Sequence, residues 1–525
     1  MAPRSVTRVA RPPDTMHQGR LENEGCPLLP DEDQDQCSND HGHGTSRKVK
    51  SLRDPSPAWI ILLWGMFAMS GGTFVVPEFN ASLALVCHQR YAPSSSQPNP
   101  QTGQLTLMEE LELCLGDKNA QADVSRLIVY CQFTAGILSA ITAPILGSLS
   151  DRIGRKPILA LSTTGILLYN VVMLLILRYP DAIDVRWILV GYAIEGLGGT
   201  YITAIAASQA YITDLSSPRE RATLFSYIQA CTSLAQAAGP LIAGILIASI
   251  NSFEGVYWIS FACYLLLTIL FIFVLPESRW ARSTENPGIN LDNPSMTENP
   301  LRQVYTSCKS LWESSANRRG NLAILAVIEQ FVFGVMTCLP PLQMAYSSYL
   351  FHWRPTTQSF YMALVNTWSI LVLVVLFPVI MSVVRRQIRR KRNRTHSTVF
   401  NTGELGAIRT SLCLQILGYA GVALTRSPEW FIFCSLIFAC GNPVTPLLTS
   451  SLTAHVPSEH SGHLLGMLSF MHAIGRITIP TALNATYSVT IGVFPQALFV
   501  VLAVSVAGLL LSSLCVKSYG LGSSR

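Results

Sequence analysis

The chain has 525 residues, of which 49% are apolar and only 13% charged, with a formal net charge of +6. A soluble chain normally carries about a quarter charged residues, so the composition excludes a soluble enzyme or binding domain and points to lipid. Basic residues fall in short loops rather than along a stripe with interleaved aromatics, which argues against nucleic acid as a partner, and the 13 cysteines, lacking a CxxC pair or Cys/His zinc spacing, leave no metal or cofactor to expect.

Residues 1–56 are rich in Pro, Asp, Glu, Gln, Ser and His, with no apolar period and no signal-peptide core, which predicts a disordered cytosolic tail. His41 and His43 lie in it without further ligands and are read as solvated. The tail also carries Glu24, Leu28 and Leu29 in the spacing E-x-x-x-L-L. This acidic dileucine pattern implies a sorting adaptor as partner and a vacuolar or lysosomal address, the plasma membrane being the alternative.

Apolar segments follow at 57–78, 124–149, 157–177, 187–210, 222–250 and 257–276, then a polar linker over 277–320, then segments at 321–346, 358–384, 408–425, 430–452, 462–487 and 493–515. About 20 apolar residues span the hydrocarbon of a bilayer, so the expectation is an all-α membrane protein of twelve transmembrane helices. They divide into two six-helix bundles, 57–276 and 321–516, with a cytosolic tail at 517–525. Lys and Arg cluster before the first segment, after the second (Arg152, Arg155, Lys156), after the fourth, at the end of the linker and at 385–394. Short loops rich in these residues stay cytosolic, which places both termini in the cytosol and the 79–123 loop outside it. Cys87 and Cys114 both lie in that loop, where a disulfide can persist. Asn80 and Asn484 head glycosylation sequons, but each is too close to a membrane end for that use.

Thr213–Pro240 matches Thr453–Pro480 without a gap, with Thr213/Thr453, Leu224/Leu464 and Pro240/Pro480 coinciding. Two similar halves around one site is an architecture of secondary transporters. After the second segment stands Gly147-Ser-Leu-Ser-Asp151-Arg152-Ile-Gly154-Arg155-Lys156. This run resembles the G-x-L-x-D-R-x-G-R-[KR] loop of the major facilitator superfamily, at the place where that family carries it. In physical terms, Gly147 lets helices approach, Gly154 permits a tight turn, and Asp151 can sit against a helix N-terminus. The resemblance implies a latch that holds the cytosolic side shut, with partners near Gly462 and at Asp214 or Glu220. The plainer alternative is that the basic residues only set topology.

Ala235 to Gly244 is similar to the G-x-x-x-G-P-x-x-G-G motif of proton-driven exporters in that superfamily, carried here by Gly239, Pro240 and Gly244, with Ala235 and Ala243 in place of glycines. Small residues permit close packing and Pro240 bends the helix; close packing alone is the plainer alternative. Ionisable residues inside spans are costly and normally face a cavity. Glu78 at the far end of the first segment, Glu195 in the fourth and Glu329 in the seventh are the acids; in the resembled family these helices, with the tenth, line the central cavity. His472 and Arg476 in the eleventh lie four apart on one face, and Asn442 stands between helix-breaking glycine and prolines in the tenth. Each has a structural alternative, an interface position for Glu78 or an internal ion pair for Arg476. Glu195, flanked by small residues, is the acid placed to take up and release a proton.

The sequence is therefore identified as a major facilitator superfamily transporter, similar to fungal efflux and metabolite transporters and distantly to the proton-coupled folate transporter group. The resemblance implies a monomer in the bilayer that moves a small organic solute by alternating access, with protons as the coupled ion and export or sequestration as the direction. A proton-coupled importer and a non-transporting sensor on the same fold are the alternatives. An enzyme is not expected, since no HExxH, GxSxG or Walker loop occurs.

Overall fold

A computed structural model describes residues 55–91, 106–216, 218–278, 319–383, 398–424, 426–454 and 461–516. The sorting pattern in the tail and the basic run at 385–394 lie outside them. In chain order the helices are α1 (Pro57–Tyr91), α2 (Leu107–Cys114), α3 (Lys118–Ile153), α4 (Arg155–Arg178), α5 (Ile188–Leu197), α6 (Thr200–Leu215), α7 (Pro218–Ile250) and α8 (Phe253–Phe273). The second half holds α9 (Arg319–Phe351), α10 (Pro355–Leu371), α11 (Thr398–Leu424), α12 (Pro428–Ala439), α13 (Val444–Ala454), α14 (Ser461–Thr490) and α15 (Ala497–Leu514). Eleven spans are long and apolar enough to cross a membrane, α5 with α6 and α12 with α13 each making one. The 30-residue α14 takes the eleventh place, giving twelve spans and an all-α membrane protein. No strand occurs among the described residues.

The helix ends follow local chemistry. Asp117 caps α3 by accepting from the Asn119 amide at 2.9 Å, Thr106 and Glu109 form a capping box on α2, and Pro355 and Pro428 occupy first turns, where a missing N–H costs nothing. Gly154 separates α3 from α4 with φ +109°, the tight turn expected there. Spans 4 and 10 are both interrupted at mid-length: span 4 at Gly198-Gly199, where Gly199 (φ +84°) and Thr200 (φ +58°) take left-handed backbone, and span 10 over residues 440–443. Interrupted helices at matching places in two halves are where transporter sites form.

One sequence expectation needs correction. The first span does not end at residue 78: α1 runs to Tyr91, so Glu78 lies well inside it. The polar residues that suggest a loop are satisfied internally. Asn80 donates to the Val76 carbonyl at 3.0 Å and to Gln358 of α10 at 2.8 Å. His88 lies between Glu110 at 2.8 Å and Asp181 at 2.9 Å. Asn80 and Asn484 are both buried in helices, consistent with the reading that their sequons are unused.

The two halves meet mainly through α7 against α10 and α3 against α14. At the end of the molecule carrying α2, buried polar contacts join them: Asn80 to Gln358, and Gln121 to the Ser348 hydroxyl at 2.9 Å. Cys87 and Cys114 are joined as a disulfide that fastens α2 to α1, with Cα atoms 6.2 Å apart, and Glu112 of α2 pairs with Arg354 ahead of α10 at 3.0 Å.

Candidate functional site

Three groups of polar residues stand out, one at the α3–α4 turn and two at mid-depth. At the turn, the Arg155 guanidinium donates to Asp214 at 2.9 Å and to the Ser150 hydroxyl at 3.1 Å. Both sides of the Arg155–Asp214 pair are nearly buried, at 9% and 5% side-chain exposure, so the charges are shielded from screening. The carboxylate of Glu277 accepts from the backbone amides of Arg155 at 2.9 Å and Lys156 at 3.2 Å. It thereby caps the N-terminus of α4, where Gly154 has no side chain to offer and the helix dipole favours an anion. A Cβ on Gly154 would stand 2.6 Å from the Glu277 carboxyl carbon, so the glycine makes room for the cap as well as the turn.

Asp214 is thus the partner of the loop motif through Arg155, while Glu277 is a partner the sequence reading missed. Its signal was the Pro-Glu-Ser run together with a helix start that lacked its own cap. Lys156 meets Glu277 through its backbone, and the Arg152 side chain is exposed. The side chains of Asp151, Glu220 and the α14 start at Gly462 lie outside the described residues. The close helix approach expected at Gly147 is not seen: the residue is exposed, and no described atom lies within 4 Å of a Cβ built on it.

The exporter-like motif divides its glycines between two neighbours. Gly239 packs against Gly72 of α1, where a Cβ would stand 2.8 Å from the Gly72 Cα, whereas a Cβ on Gly244 would meet Ser359 of α10 at 3.0 Å. Pro240 lies buried inside α7 between them.

At mid-depth the acids separate into two groups. In the first half, the Tyr169 hydroxyl of α4 donates to Glu78 Oε1 at 2.7 Å, and the Tyr192 hydroxyl of α5 donates to the same oxygen. The two rings meet edge to face with centroids 5.1 Å apart. Glu195 is half-buried three residues after Tyr192 and takes no hydrogen bond among the described residues. It lies in the attractive field of Arg476 and the repulsive field of Glu78. Arg476, on α14 of the other half, donates to the Thr200 hydroxyl at the break of span 4 at 3.3 Å. No carboxylate lies within 4.0 Å of it among the described residues.

In the second half, Glu329 of α9 is 1% exposed. Its Oε1 accepts from the Thr449 hydroxyl at 3.2 Å and lies 3.6 Å from His472 Nε2, an ion-pair distance too long for a hydrogen bond. Its Oε2 is buried without a hydrogen-bond partner among the described residues. The His472 ring stacks on Phe333 at 4.0 Å. Asn442 donates to the Ser369 hydroxyl at 2.7 Å, and its own carbonyl oxygen is unpartnered. Glu329 therefore does not join Glu195. One face of α14 serves both groups, Arg476 reaching the first half and His472 the second, as their four-residue spacing permits. Tyr169, Tyr192, Thr200 and Thr449 were not singled out by sequence, since hydroxyl and phenol side chains are common in membrane helices.

Comparison with known proteins agrees with this geometry. The MFS-type transporter avaJ of Aspergillus versicolor is 43% identical over 492 residues, covering 92% of each chain. The efflux pump ustT of Aspergillus flavus is 25% identical over 59% of this chain and 61% of its own. The solved nucleoside transporter NupG shares the fold, with a TM-score of 0.56 over 88% of this chain and 99% of its own at 11% identity. A family model described as the Major Facilitator Superfamily matches residues 116–480, a stretch that takes in the loop motif, both interrupted spans and the acids Glu195 and Glu329, and this chain belongs to that superfamily of membrane transporters.

Proposed function

We propose that this protein exports or sequesters a small organic solute by alternating access in exchange for protons, with Glu195 as the carboxyl that takes up and releases the proton. The observation that carries the reading is the position of Glu195, half-buried on span 4 shortly before its break, where Arg476 from the other half of the chain bonds the Thr200 hydroxyl. Ionised, Glu195 attracts Arg476 and favours the arrangement in which the halves meet at mid-depth. Protonated, it does not. A proton therefore has a different free energy in different arrangements, which is the condition for a ligand to drive a conformational equilibrium. The alternative of a permanently charged acid costs roughly 3 kcal/mol at mid-span.

Export draws support from the relative described as an efflux pump and from Gly239 and Gly244 on either side of Pro240, which meet α1 and α10. In this reading both termini are cytosolic, so the Arg155–Asp214–Glu277 cluster lies at the cytosolic end and holds α3, α4 and span 4 as one unit there. The working unit is a monomer in lipid, delivered to a vacuolar or lysosomal membrane by an adaptor that reads Leu28 and Leu29, the plasma membrane being the alternative address. The test is gradient-driven accumulation in sealed vesicles under an imposed pH step. Glu195→Gln keeps the shape without titrating and is expected to abolish accumulation at equal protein abundance. Wild-type accumulation with wild-type pH dependence would move the proton elsewhere.

A further inference from the structure

Glu78 differs from the other acids of the membrane interior in having no cationic neighbour among the described residues. The titratable groups that interact with it are Tyr169 on α4, Tyr192 and Glu195 on α5, Cys131 on α3, and Tyr257 and Tyr264 on α8. None carries a positive charge. Both phenol donors bind the same oxygen, Oε1, while Oε2 takes no hydrogen bond among the described residues and the side chain is only half-buried. The carboxyl is thus held rigidly from behind, with one face unused.

We propose that Glu78 binds a protonated amine on the transported solute, the ammonium donating to Oε2 with aromatic rings around it. The proposal rests on the transport reading above and adds the substrate class to it. An ionised carboxylate at this depth requires a compensating charge, and none stands beside it among the described residues. Two occupants fit: a proton on Oε2, or an ammonium beside it. They exclude each other, so an arriving ammonium displaces the carboxyl proton to water, and one cation leaves for each that binds. Exchange of this sign runs in the same direction as the proton cycle placed on Glu195. The walls suit the same ligand. Tyr169 and Tyr192 stand beside the carboxyl, fixed by their hydroxyls, and electron-rich ring faces attract cations. An acidic solute would find its partner in Arg476 instead, and its binding would favour protonation of Glu195 rather than oppose it.

Three probes sharing one ring separate these cases: tryptamine, tryptophol and indole-3-propionate, which carry an ammonium, a hydroxyl and a carboxylate. Binding to the purified full-length protein is measured by calorimetry between about pH 5.5 and 8.5. The expectation is that tryptamine binds with release of protons and loses about tenfold in affinity per pH unit on the acid side, as competition for one carboxyl requires. The other two should bind at least about tenfold more weakly. Glu78→Gln should abolish tryptamine binding, and Tyr192→Phe, which keeps the carboxyl and removes one fixing bond, should weaken it about tenfold. Preference for indole-3-propionate, equal response to all three probes, no response to tryptamine at about millimolar concentration, or tryptamine binding unchanged in Glu78→Gln would each overturn the proposal. Equilibrium binding needs no gradient, so failure here and failure of the Glu195 coupling experiment are read separately.

Discussion

Glu78 and Glu329 are both carboxyls on membrane helices, one in each half, and their surroundings differ in kind. Glu329 is sealed by protein, with Thr449 and His472 at one oxygen and 1% exposure. Glu78 is half-buried and held by two phenols at one oxygen, with no hydrogen bond at the other among the described residues. A buried acid beside its own potential cation has its partner already in place. An acid with neutral donors behind it and no cation in front is organised for a charge that comes and goes. Burial and charge alone would not have separated them; partners do.

The largest expected effect tests the sealed half. His472→Ala should leave Glu329 without its basic neighbour and Phe333 without its stacking ring, lowering stability by about 3 kcal/mol, at the lower end for a broken buried pair. A second substitution, Glu329→Gln, should recover most of that loss in thermal unfolding if the pair is the cause. A single-substitution loss that the double variant does not relieve would assign the effect to packing instead.

A smaller effect sharpens the open half. Glu78→Gln preserves an acceptor for both phenols and removes only the exchangeable charge, so ligand-free stability should change by no more than about 1 kcal/mol while amine binding is lost. A large stability loss in this variant would make Glu78 a structural group instead. The smallest effect concerns the exposed bridge between halves: the Glu112–Arg354 pair has side chains 48% and 66% exposed, and Glu112→Gln should cost about 0–1 kcal/mol. Unchanged unfolding and unchanged transport would mark the disulfide-fastened α2 as a loop support rather than a gate.

Much of the fold was legible because apolar run length and loop charge are local quantities. The loop motif announced the α3–α4 turn, and the Gly-Asn-Pro run announced the break in span 10. The break in span 4 was not read: Gly198 and Gly199 were taken as room beside Glu195, whereas they interrupt the helix and present Thr200 to Arg476. Glu277 was missed, because its role as a cap depends on α4 starting beside it, 121 to 122 residues earlier in the chain. The first span was read short because Asn80 and His88 look like loop residues until Gln358, Glu110 and Asp181 are placed against them.

The sequence by itself determined that this is a membrane protein of twelve spans with few buried charges, since hydrocarbon admits only long apolar helices whose backbone bonds close internally. It also determined which acids the membrane must accommodate. Only the tertiary structure decided what each acid meets, because a side chain's partners depend on how its helix is rotated and which distant helix crosses it. The two tyrosines that hold Glu78 stand 91 and 114 residues away in sequence, and no local pattern could have paired them.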